Sequence, residues 1–396
     1  MPRICIIGHR FWREHPGGVE LQTRYLGEAL HAAGWEVVYV CHTLSGAEGS
    51  EELAPGCSVH WIPLYPYSWR VPRREIERLL EDLHPDVLYQ RGWGVLQESG
   101  VVLEFALRHG LPYVFALSSD NAVRWRFPTV QTFLLHRRPR WRSWLLLPSA
   151  VWSDLGMHRL LRRSPYICVQ HGGQQRLLWQ RYRRWGILVP TLHPELERPV
   201  QKHPTPLVVW LHNYRPHAQL SVALRIADEL SSWAEFVFVT GATRREHLQE
   251  LRLRRPSSST IHLRGALSVD EAEELLERAW VLLHTGLYEG FPNTFVQAWL
   301  RQTPVVSLWV DPGGVLRRHG LGICADGDVS RLCCELARLL SSPERLRSLG
   351  EQARLYAERV HGFARNRHRI VQLMEGIVQR RSAEELHREC FGSLLA

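Results

Sequence analysis

Lysine is almost absent from this 396-residue sequence: of its 49 basic residues, Lys202 is the only one that is not arginine. Chemistry that needs a lysine amine, such as pyridoxal catalysis, therefore has a single candidate, which lies in a proline-flanked stretch. Long apolar runs are absent too, and none approaches the roughly 20 residues of a membrane-spanning helix. The first residues, 1–8, lack the apolar core of a signal peptide and are typical of a first strand.

Paired cysteines and metal-ligand patterns are also missing. The eight cysteines contain no Cys-x-x-Cys pair, which predicts reduced thiols and a cytoplasmic protein rather than disulfides or structural zinc. The 21 histidines show no convincing ligand spacing, and His212 and His217 are interpreted as ordinary loop or core residues. The sequence therefore predicts no metal site.

Positive charge is concentrated in one region of the chain. The formal net charge is +9, yet residues 121–190 alone contain 13 arginines and one acid, Asp154, together with six of the 16 tryptophans. Arginines and tryptophans interleave over 137–144, beside the apolar run 145–147. This pattern predicts peripheral contact with an anionic membrane at its inner face, with a solvated arginine surface over buried tryptophans as the alternative. Nucleic-acid binding is not predicted, because no recognised motif accompanies the charge.

Short apolar runs alternate with helical patterns along both halves of the chain, which predicts an α/β protein of two doubly wound Rossmann-like domains with a cleft between them. The proline-rich stretch 190–206 separates the halves. We predict one domain over 1–190, a second over 205–360, and C-terminal helices over 361–396. Predicted strands are 3–7, 36–41, 86–89, 113–117 and 166–169, then 207–211, 236–239, 261–263, 281–284 and 305–308.

The strongest local pattern follows the predicted strand that ends at His284. It contains Glu289-Gly-Phe-Pro-Asn293 and opens a helical stretch for which Asn293 is a good N-cap. Free amides of residues 293–296 would make this helix start an anion site, suited to a diphosphate, and Glu289 could accept hydrogen bonds from sugar hydroxyls. An ordinary connection with a solvated glutamate is the alternative.

This stretch resembles the Glu-Gly-Phe motif of the group 1 (family 4) glycosyltransferases, which are retaining enzymes of GT-B fold. Three further stretches resemble the same family in the same order: the Gly-Gly-x-Glu loop at 16–20, the strand and loop at 305–322, and the closing segment at 358–363. The resemblance implies two Rossmann-like domains that face each other across a cleft. It also implies transfer of a sugar, with retention, from a UDP-, GDP- or ADP-type nucleotide-sugar to a glycan or lipid-linked acceptor, without metal or other cofactor.

The resemblance places the donor in the C-terminal domain and the acceptor in the N-terminal domain. Glu289 is the predicted catalytic residue. The predicted donor-binding residues are Asn213, Arg215, Gly265, Glu289, Gly290, Phe291, Pro292, Asn293, Thr294 and Gln297. The predicted phosphate or acceptor loops contain Gly17, Gly18, Glu20, Ser119 and Asp120.

The sequence departs from the family pattern at several positions. The second glutamate of the motif falls on Gln297, which predicts altered ribose binding. The arginine and lysine that hold the diphosphate fall on Asn213 and Ala218, and Arg215 is the candidate substitute, unless it is simply a solvated arginine. The histidine of the N-terminal domain falls on Ser118.

Two loops of the N-terminal domain could have either a functional or a purely structural role. Gly17 and Gly18 could let the backbone approach the leaving phosphate or acceptor, or could merely form a turn. Ser119 and Asp120 could contact the acceptor or the sugar, or Asp120 could cap the next helix.

Two other functions are alternatives to sugar transfer. Because the usual lysine, arginine, histidine and second glutamate are all replaced, the chain could be a non-catalytic GT-B partner of another glycosyltransferase. A pyridoxal-dependent GT-B phosphorylase would require Lys202 as its anchor.

Overall fold

The chain divides into two compact units. The computed structural model describes residues 1–8, 10–14, 17–42, 49–62, 73–92, 98–136, 144, 147–213, 215–241, 258–392 and 394. The N-terminal unit comprises Met1–Leu192 and Arg365–Ala396, and the C-terminal unit comprises His193–Ala364. Several stretches named above therefore lie outside the described residues: Pro16, residues 137–143, and residues 145–146.

The N-terminal unit is built on an eight-stranded sheet with the order β3-β4-β2-β1-β5-β6-β7-β8. All neighbouring pairs are parallel except the edge pair β3–β4. The strand order reverses between β1 and β5, which makes that point the topological switch of the sheet. The strands are β1 (Arg3–Gly8), β2 (Glu36–His42), β3 (Gly49–Ala54), β4 (Cys57–Ile62), β5 (Val87–Arg91), β6 (Tyr113–Ala116), β7 (Tyr166–Val169) and β8 (Ile187–Leu188).

Helices cover this sheet because their apolar faces pack on its continuous apolar strands, forming one core that includes Val38, Leu88 and Phe115. The helices of the N-terminal unit are α1 (Gly18–Ala32), α2 (Arg73–Leu83), α3 (Glu98–His109), α4 (Asn121–Arg124), α5 (Pro128–His136), α6 (Leu147–Arg163) and α7 (Gly172–Tyr182). No helix in the described part of the chain combines the length and apolarity needed to cross a bilayer.

The C-terminal unit has a six-stranded, fully parallel sheet with the order β11-β10-β9-β12-β13-β14. In chain order this is 3-2-1-4-5-6, the strand order typical of a dinucleotide-binding Rossmann domain, with the switch between β9 and β12. The strands are β9 (Leu207–His212), β10 (Glu235–Thr240), β11 (Ile261–Arg264), β12 (Val281–His284), β13 (Val305–Ser307) and β14 (Gly322–Cys324).

Helices again flank the sheet. The Ser268–Glu271 capping box is present, with the Ser268 side chain accepting from the Glu271 amide and the Glu271 carboxylate accepting from the Ser268 amide. The helices of the C-terminal unit, among the described residues, are α8 (Leu220–Glu229), α9 (Val269–Arg278), α10 (Asn293–Leu300), α11 (Val315–His319), α12 (Val329–Leu340) and α13 (Pro343–His361). The last two helices, α14 (Phe363–Val378) and α15 (Ala383–Phe391), belong from Arg365 onward to the N-terminal unit. These two helix-flanked, predominantly parallel sheets confirm the predicted α/β class.

All eight cysteines are free thiols.

Candidate functional site

The candidate site lies at the carboxyl ends of β9 and β12, the adjacent strands at the switch point of the C-terminal sheet. Ligands of open α/β sheets bind outside the strand ends at such a point. His212 is the last residue of β9 and His284 the last of β12, and Glu289 follows in the loop before α10. The strand order therefore brings together residues that are more than 70 positions apart in the chain.

Glu289 is held by a direct contact with His212. The His212 Nε2 atom lies 3.1 Å from Glu289 Oε1, and the other ring nitrogen, Nδ1, lies 3.0 Å from the carbonyl oxygen of Asn213. Each contact is a hydrogen bond when the ring nitrogen that faces the oxygen carries a proton, because the carboxylate and carbonyl oxygens can only accept. The Glu289 side chain is 30% exposed and that of His212 11%, so the pair is sheltered but still reachable.

The surrounding groups favour the ionised form of Glu289. Burial raises the pKa of its carboxyl, but the neighbouring histidines, first of all His212 with its hydrogen bond, lower the pKa below its ordinary value. His284 is buried, and desolvation, with His212 as the next cause, lowers its pKa to about 3, so its ring is neutral. A Cβ atom on Gly286 would come within 2.8 Å of the His284 ring, so glycine is required where the loop turns past these rings.

A third histidine completes the cluster. The His217 ring stacks on Tyr288 with centroids 4.8 Å apart and meets the His212 ring edge-on at 5.8 Å. One ligating atom from each of His212, His217 and Glu289 lies within 4.8 Å of the other two, so by distance alone these three side chains could hold a cation. The sequence interpretation of His212 and His217 as ordinary loop or core histidines missed this convergence.

Helix α10 begins as the sequence predicts, but its first turn differs in detail. Pro292 is the N-cap residue and no side chain caps the helix, so the prediction that Asn293 is the N-cap is wrong. The amide of Phe295 donates to the Pro292 carbonyl oxygen at 3.1 Å, so it is not free as predicted. Thr294 remains in the first turn, where amides lack intrahelical carbonyl partners. Phe291 is buried, and Gly290 is buried beside it.

The other predicted donor residues follow β9 and β11, and only those after β9 lie at the strand next to this loop. Asn213 follows β9 directly, and a Cβ atom on Gly241 would collide with its side chain. Arg215 is exposed and precedes a short 3₁₀ helix, Pro216–Ala218. Ala218 is fully buried, and its carbonyl oxygen accepts from the Thr285 hydroxyl. Gly265 follows β11, two strands away from β9, with open space beside it.

Gln297 lies one turn into α10 and is buried in a polar network. Its Nε2 donates to Glu273 Oε1 at 3.3 Å, and the Glu273 carboxylate also contacts Arg301 and His193. Burial and the charge of Arg301 lower the pKa of His193 to about 3. The Gln297 amide therefore links α10 to α9, and its oxygen and second amide proton remain for a ligand.

The Gly17–Gly18 loop leads directly into α1. Gly17 is the N-cap, and a Cβ atom there would lie 2.3 Å from a Glu20 carboxylate oxygen. Glu20 thus folds back over the start of its own helix, where a negative charge is stabilised. Close approach of this carboxylate is a sufficient reason for glycine at position 17.

Asp120 does not cap the helix that follows it, so that alternative is wrong. It precedes α4 with no side-chain cap bond. Its Oδ1 instead accepts from His171 Nε2 at 2.8 Å and from Gln174 Nε2 at 2.9 Å. Ser119 Oγ accepts from the Asn121 amide at 3.3 Å. The Ser119–Asp120 loop is thereby tied to the start of α7 at the carboxyl edge of the N-terminal sheet.

Lys202 has a structural role. Its Nζ donates to the carbonyl oxygens of Ala279 and Arg301, each at 2.8 Å, and to Thr303 Oγ1 at 2.6 Å. Nζ is therefore held by three oxygens of the C-terminal unit, although burial lowers its pKa to about 7. An amine held in this way is not placed to form an aldimine, which argues against the phosphorylase alternative.

Comparison with known proteins identifies the fold and the family. A glycosyl transferase 4-like domain matches residues 17–190, and a glycosyl transferases group 1 domain matches residues 205–342. No curated protein sequence matches the chain. The solved structures it is similar to include a sucrose-phosphate synthase from Thermosynechococcus elongatus, with 16% identity, 99% of this chain and 100% of that chain covered, and a TM-score of 0.73.

Two further structures have the same fold. HepE of Anabaena in complex with UDP-glucose is 14% identical, with 95% of this chain and 100% of that chain covered and a TM-score of 0.67. WaaG, a glycosyltransferase involved in lipopolysaccharide biosynthesis, is 13% identical, with 98% and 100% covered and a TM-score of 0.67. The predicted GT-B fold is confirmed, and the chain belongs to the group 1 glycosyltransferases.

Proposed function

We propose that this protein transfers a sugar from a nucleotide-sugar to an acceptor hydroxyl, and that Glu289 binds the donor sugar. The main support for this proposal is the 3.1 Å contact between His212 Nε2 and Glu289 Oε1 at the switch point of the C-terminal sheet. A carboxylate kept ionised there accepts hydrogen bonds from sugar hydroxyls throughout the neutral pH range. An ordinary solvated glutamate would need no such partner.

The donor diphosphate is proposed to lie against the first turn of α10. Amides of this turn, the Gly290–Thr294 backbone, and the positive end of the helix dipole favour a negative group. Where the family has its diphosphate-binding arginine and lysine, this chain offers the exposed guanidinium of Arg215. UDP is the first nucleotide to test, because HepE was solved with UDP-glucose.

The proposed reaction retains configuration at the sugar and needs no metal. The bond from the anomeric carbon to the diphosphate oxygen breaks, and a bond to the acceptor oxygen forms on the same face. The acceptor proton passes to the departing phosphate oxygen, so no separate protein base is required. Glu289 orients and stabilises the sugar, and Arg215 and the helix dipole stabilise the leaving diphosphate.

The N-terminal unit is proposed to bind the acceptor, a glycan or a lipid-linked saccharide, through the Ser119–Asp120 loop. The Asp120–His171–Gln174 contacts fix this loop on the sheet. The chain is proposed to work in the cytoplasm, at the inner face of a membrane.

Helix α6 supports the membrane part of this proposal. Its outer face carries exposed Val151, Trp152 and Leu155 in the first half, followed by exposed Arg159 and Arg162. Trp152 is 68% exposed, an unusual position for the largest apolar side chain. Indoles that settle at the interface beside arginines that attract lipid phosphates are typical of peripheral membrane contact.

A donor panel tests the proposed activity. Purified protein is incubated with UDP-, GDP- and ADP-glucose and with candidate acceptors, and released nucleotide and the product anomer are measured. Slow hydrolysis or transfer from one nucleotide series, with the α-anomer of the donor retained, supports the proposal. Tight donor binding without hydrolysis or transfer to any acceptor would instead indicate the non-catalytic partner.

A further inference from the structure

The N-terminal unit contains an apolar cavity beside its predicted acceptor loop. The cavity has a volume of about 380 Å³ and lies at the carboxyl end of β6. Its apolar walls come from the end of β6, from α5 and from α6, and include Phe115, Leu117, Phe133 and Met157. A volume in this range is typical of pockets that bind small molecules.

The polar groups of the cavity lie along one wall, in the segment that follows β6. Ser118, Ser119 and Asn121 line it there. The Oδ1 atom of Asn121 is buried and has no hydrogen-bond donor among the described residues. A buried carbonyl oxygen without a partner is costly, so it is a place where a ligand hydroxyl would be stabilised. The cavity therefore has the polarity of an amphiphile, with hydroxyl acceptors at one wall and apolar carbon elsewhere.

The acids near the cavity are already hydrogen-bonded within the fold. Asp154, the one acid of residues 121–190, is fully buried and accepts from the amides of Thr129 and Val130 at the start of α5. Asp120, in the segment after β6, accepts from His171 and Gln174. The residues that line the cavity carry no charge, so its polar wall suits the hydroxyls of a headgroup.

We propose that this cavity binds the alkyl chain of an amphiphilic acceptor whose hydroxyl-bearing headgroup lies at the Ser118–Asn121 segment. The acceptor role rests on the proposed sugar transfer, but binding of the chain is measurable without any reaction. The cavity thus selects lipid-linked acceptors over free glycans. The preference for longer alkyl chains arises because each additional CH₂ group that is buried in the cavity raises the affinity about fourfold.

The test uses hexyl, heptyl and octyl β-D-glucosides below their micelle concentrations, titrated into the full-length protein by calorimetry. The expected Kd falls about fourfold with each added CH₂ group. Thr132→Phe, which fills the cavity from α5, should abolish this dependence on chain length. Gln131→Phe adds the same ring at the adjacent, exposed position outside the cavity and should leave it unchanged.

Equal affinity for hexyl and octyl glucoside, or an equal effect of the two phenylalanine variants, would overturn the proposal. Ala122→Leu fills the cavity from α4 and supplies a second variant should Thr132→Phe unfold, as judged by circular dichroism. Repeating the titration with Glu289→Gln separates the two proposals, since chain-length dependence should persist there even when transfer is lost. Transfer to a free glycan without chain-length dependence would leave the proposed function standing and remove this inference alone.

Discussion

His212 and Glu289 form a hydrogen-bonded pair, 3.1 Å from Nε2 to Oε1, although 77 positions separate them in the chain. The pair exists because β9 and β12 are neighbours in the sheet and both end at the same edge. Its second ring nitrogen is fixed by the Asn213 carbonyl, so the imidazole cannot turn away without losing a hydrogen bond. His212 is thus a positioning residue for the proposed sugar-binding carboxylate.

The first prediction concerns pH. Since burial raises the pKa of Glu289 and His212 is the main group that lowers it, His212→Leu should raise that pKa and move the acid limb of kcat/KM to higher pH. The same variant should lower kcat/KM at neutral pH by about tenfold or more, the worth of one charged hydrogen bond. A pH profile of donor turnover measures both effects.

His212→Gln supplies the control, because its amide nitrogen can still donate to Glu289 without a charge. It should recover part of the neutral-pH rate lost in His212→Leu. If both variants keep the wild-type acid limb, His212 has only a packing role.

The second prediction concerns the diphosphate. Arg215 is exposed and forms no ion pair with any residue that the structure describes, so it is available to a ligand. Arg215→Gln should weaken UDP binding about tenfold and UMP binding much less, because a guanidinium clamps two phosphate oxygens. Calorimetry with both nucleotides gives the ratio, and Arg225→Gln, an exposed position on α8, should not alter it. An unchanged ratio in Arg215→Gln would show that this arginine is merely solvated.

The third prediction concerns metals. Because the helix start and Arg215 are proposed to neutralise the diphosphate, EDTA at millimolar concentration should leave the transfer rate unchanged. His212, His217 and Glu289 are nevertheless close enough to hold a cation. Loss of activity in EDTA that zinc or manganese restores would therefore assign the cluster to metal binding and contradict a metal-independent reaction.

The fourth prediction concerns the outer face of α6. Trp152→Glu should reduce co-sedimentation with vesicles of phosphatidylglycerol and phosphatidylcholine at least about fivefold, since it replaces an interfacial indole by a charge that anionic lipids repel. Trp233→Glu changes a tryptophan that is 48% exposed in the C-terminal unit and should bind as the wild type does. Equal vesicle binding by all three proteins would favour the solvated-surface alternative.

Ten of the fourteen strands in the described part of the chain were predicted, because most of them are continuous apolar runs. The predicted bounds 166–169 and 281–284 match β7 and β12, and most of the others differ by one or two residues at an end. Strands β3, β4, β8 and β14 were not predicted. β3 is polar and largely exposed, β4 mixes polar with apolar residues, and β8 and β14 are only two and three residues long. Strands that are buried in the sheet could be predicted because their sequences are apolar, whereas an exposed edge strand has no such pattern.

The site was predictable only in part. The helix start at Asn293 follows from local sequence, but the histidine that holds Glu289 depends on which strands are neighbours. The position of His212 at the very end of a strand was the available signal, since strand ends at a switch point hold ligands. The Glu273 contact of Gln297 likewise depends on how α9 packs against α10, which no local spacing reveals.

Donor turnover by Glu289→Gln tests the central claim most directly. The substitution keeps the shape of the side chain and removes its charge, so kcat/KM for the nucleotide-sugar should fall at least about 100-fold while the melting temperature stays near that of wild type. Glu344→Gln, at an exposed position on α13, should turn over normally. Near-wild-type turnover by a folded Glu289→Gln protein would contradict the assignment of this carboxylate to the donor sugar.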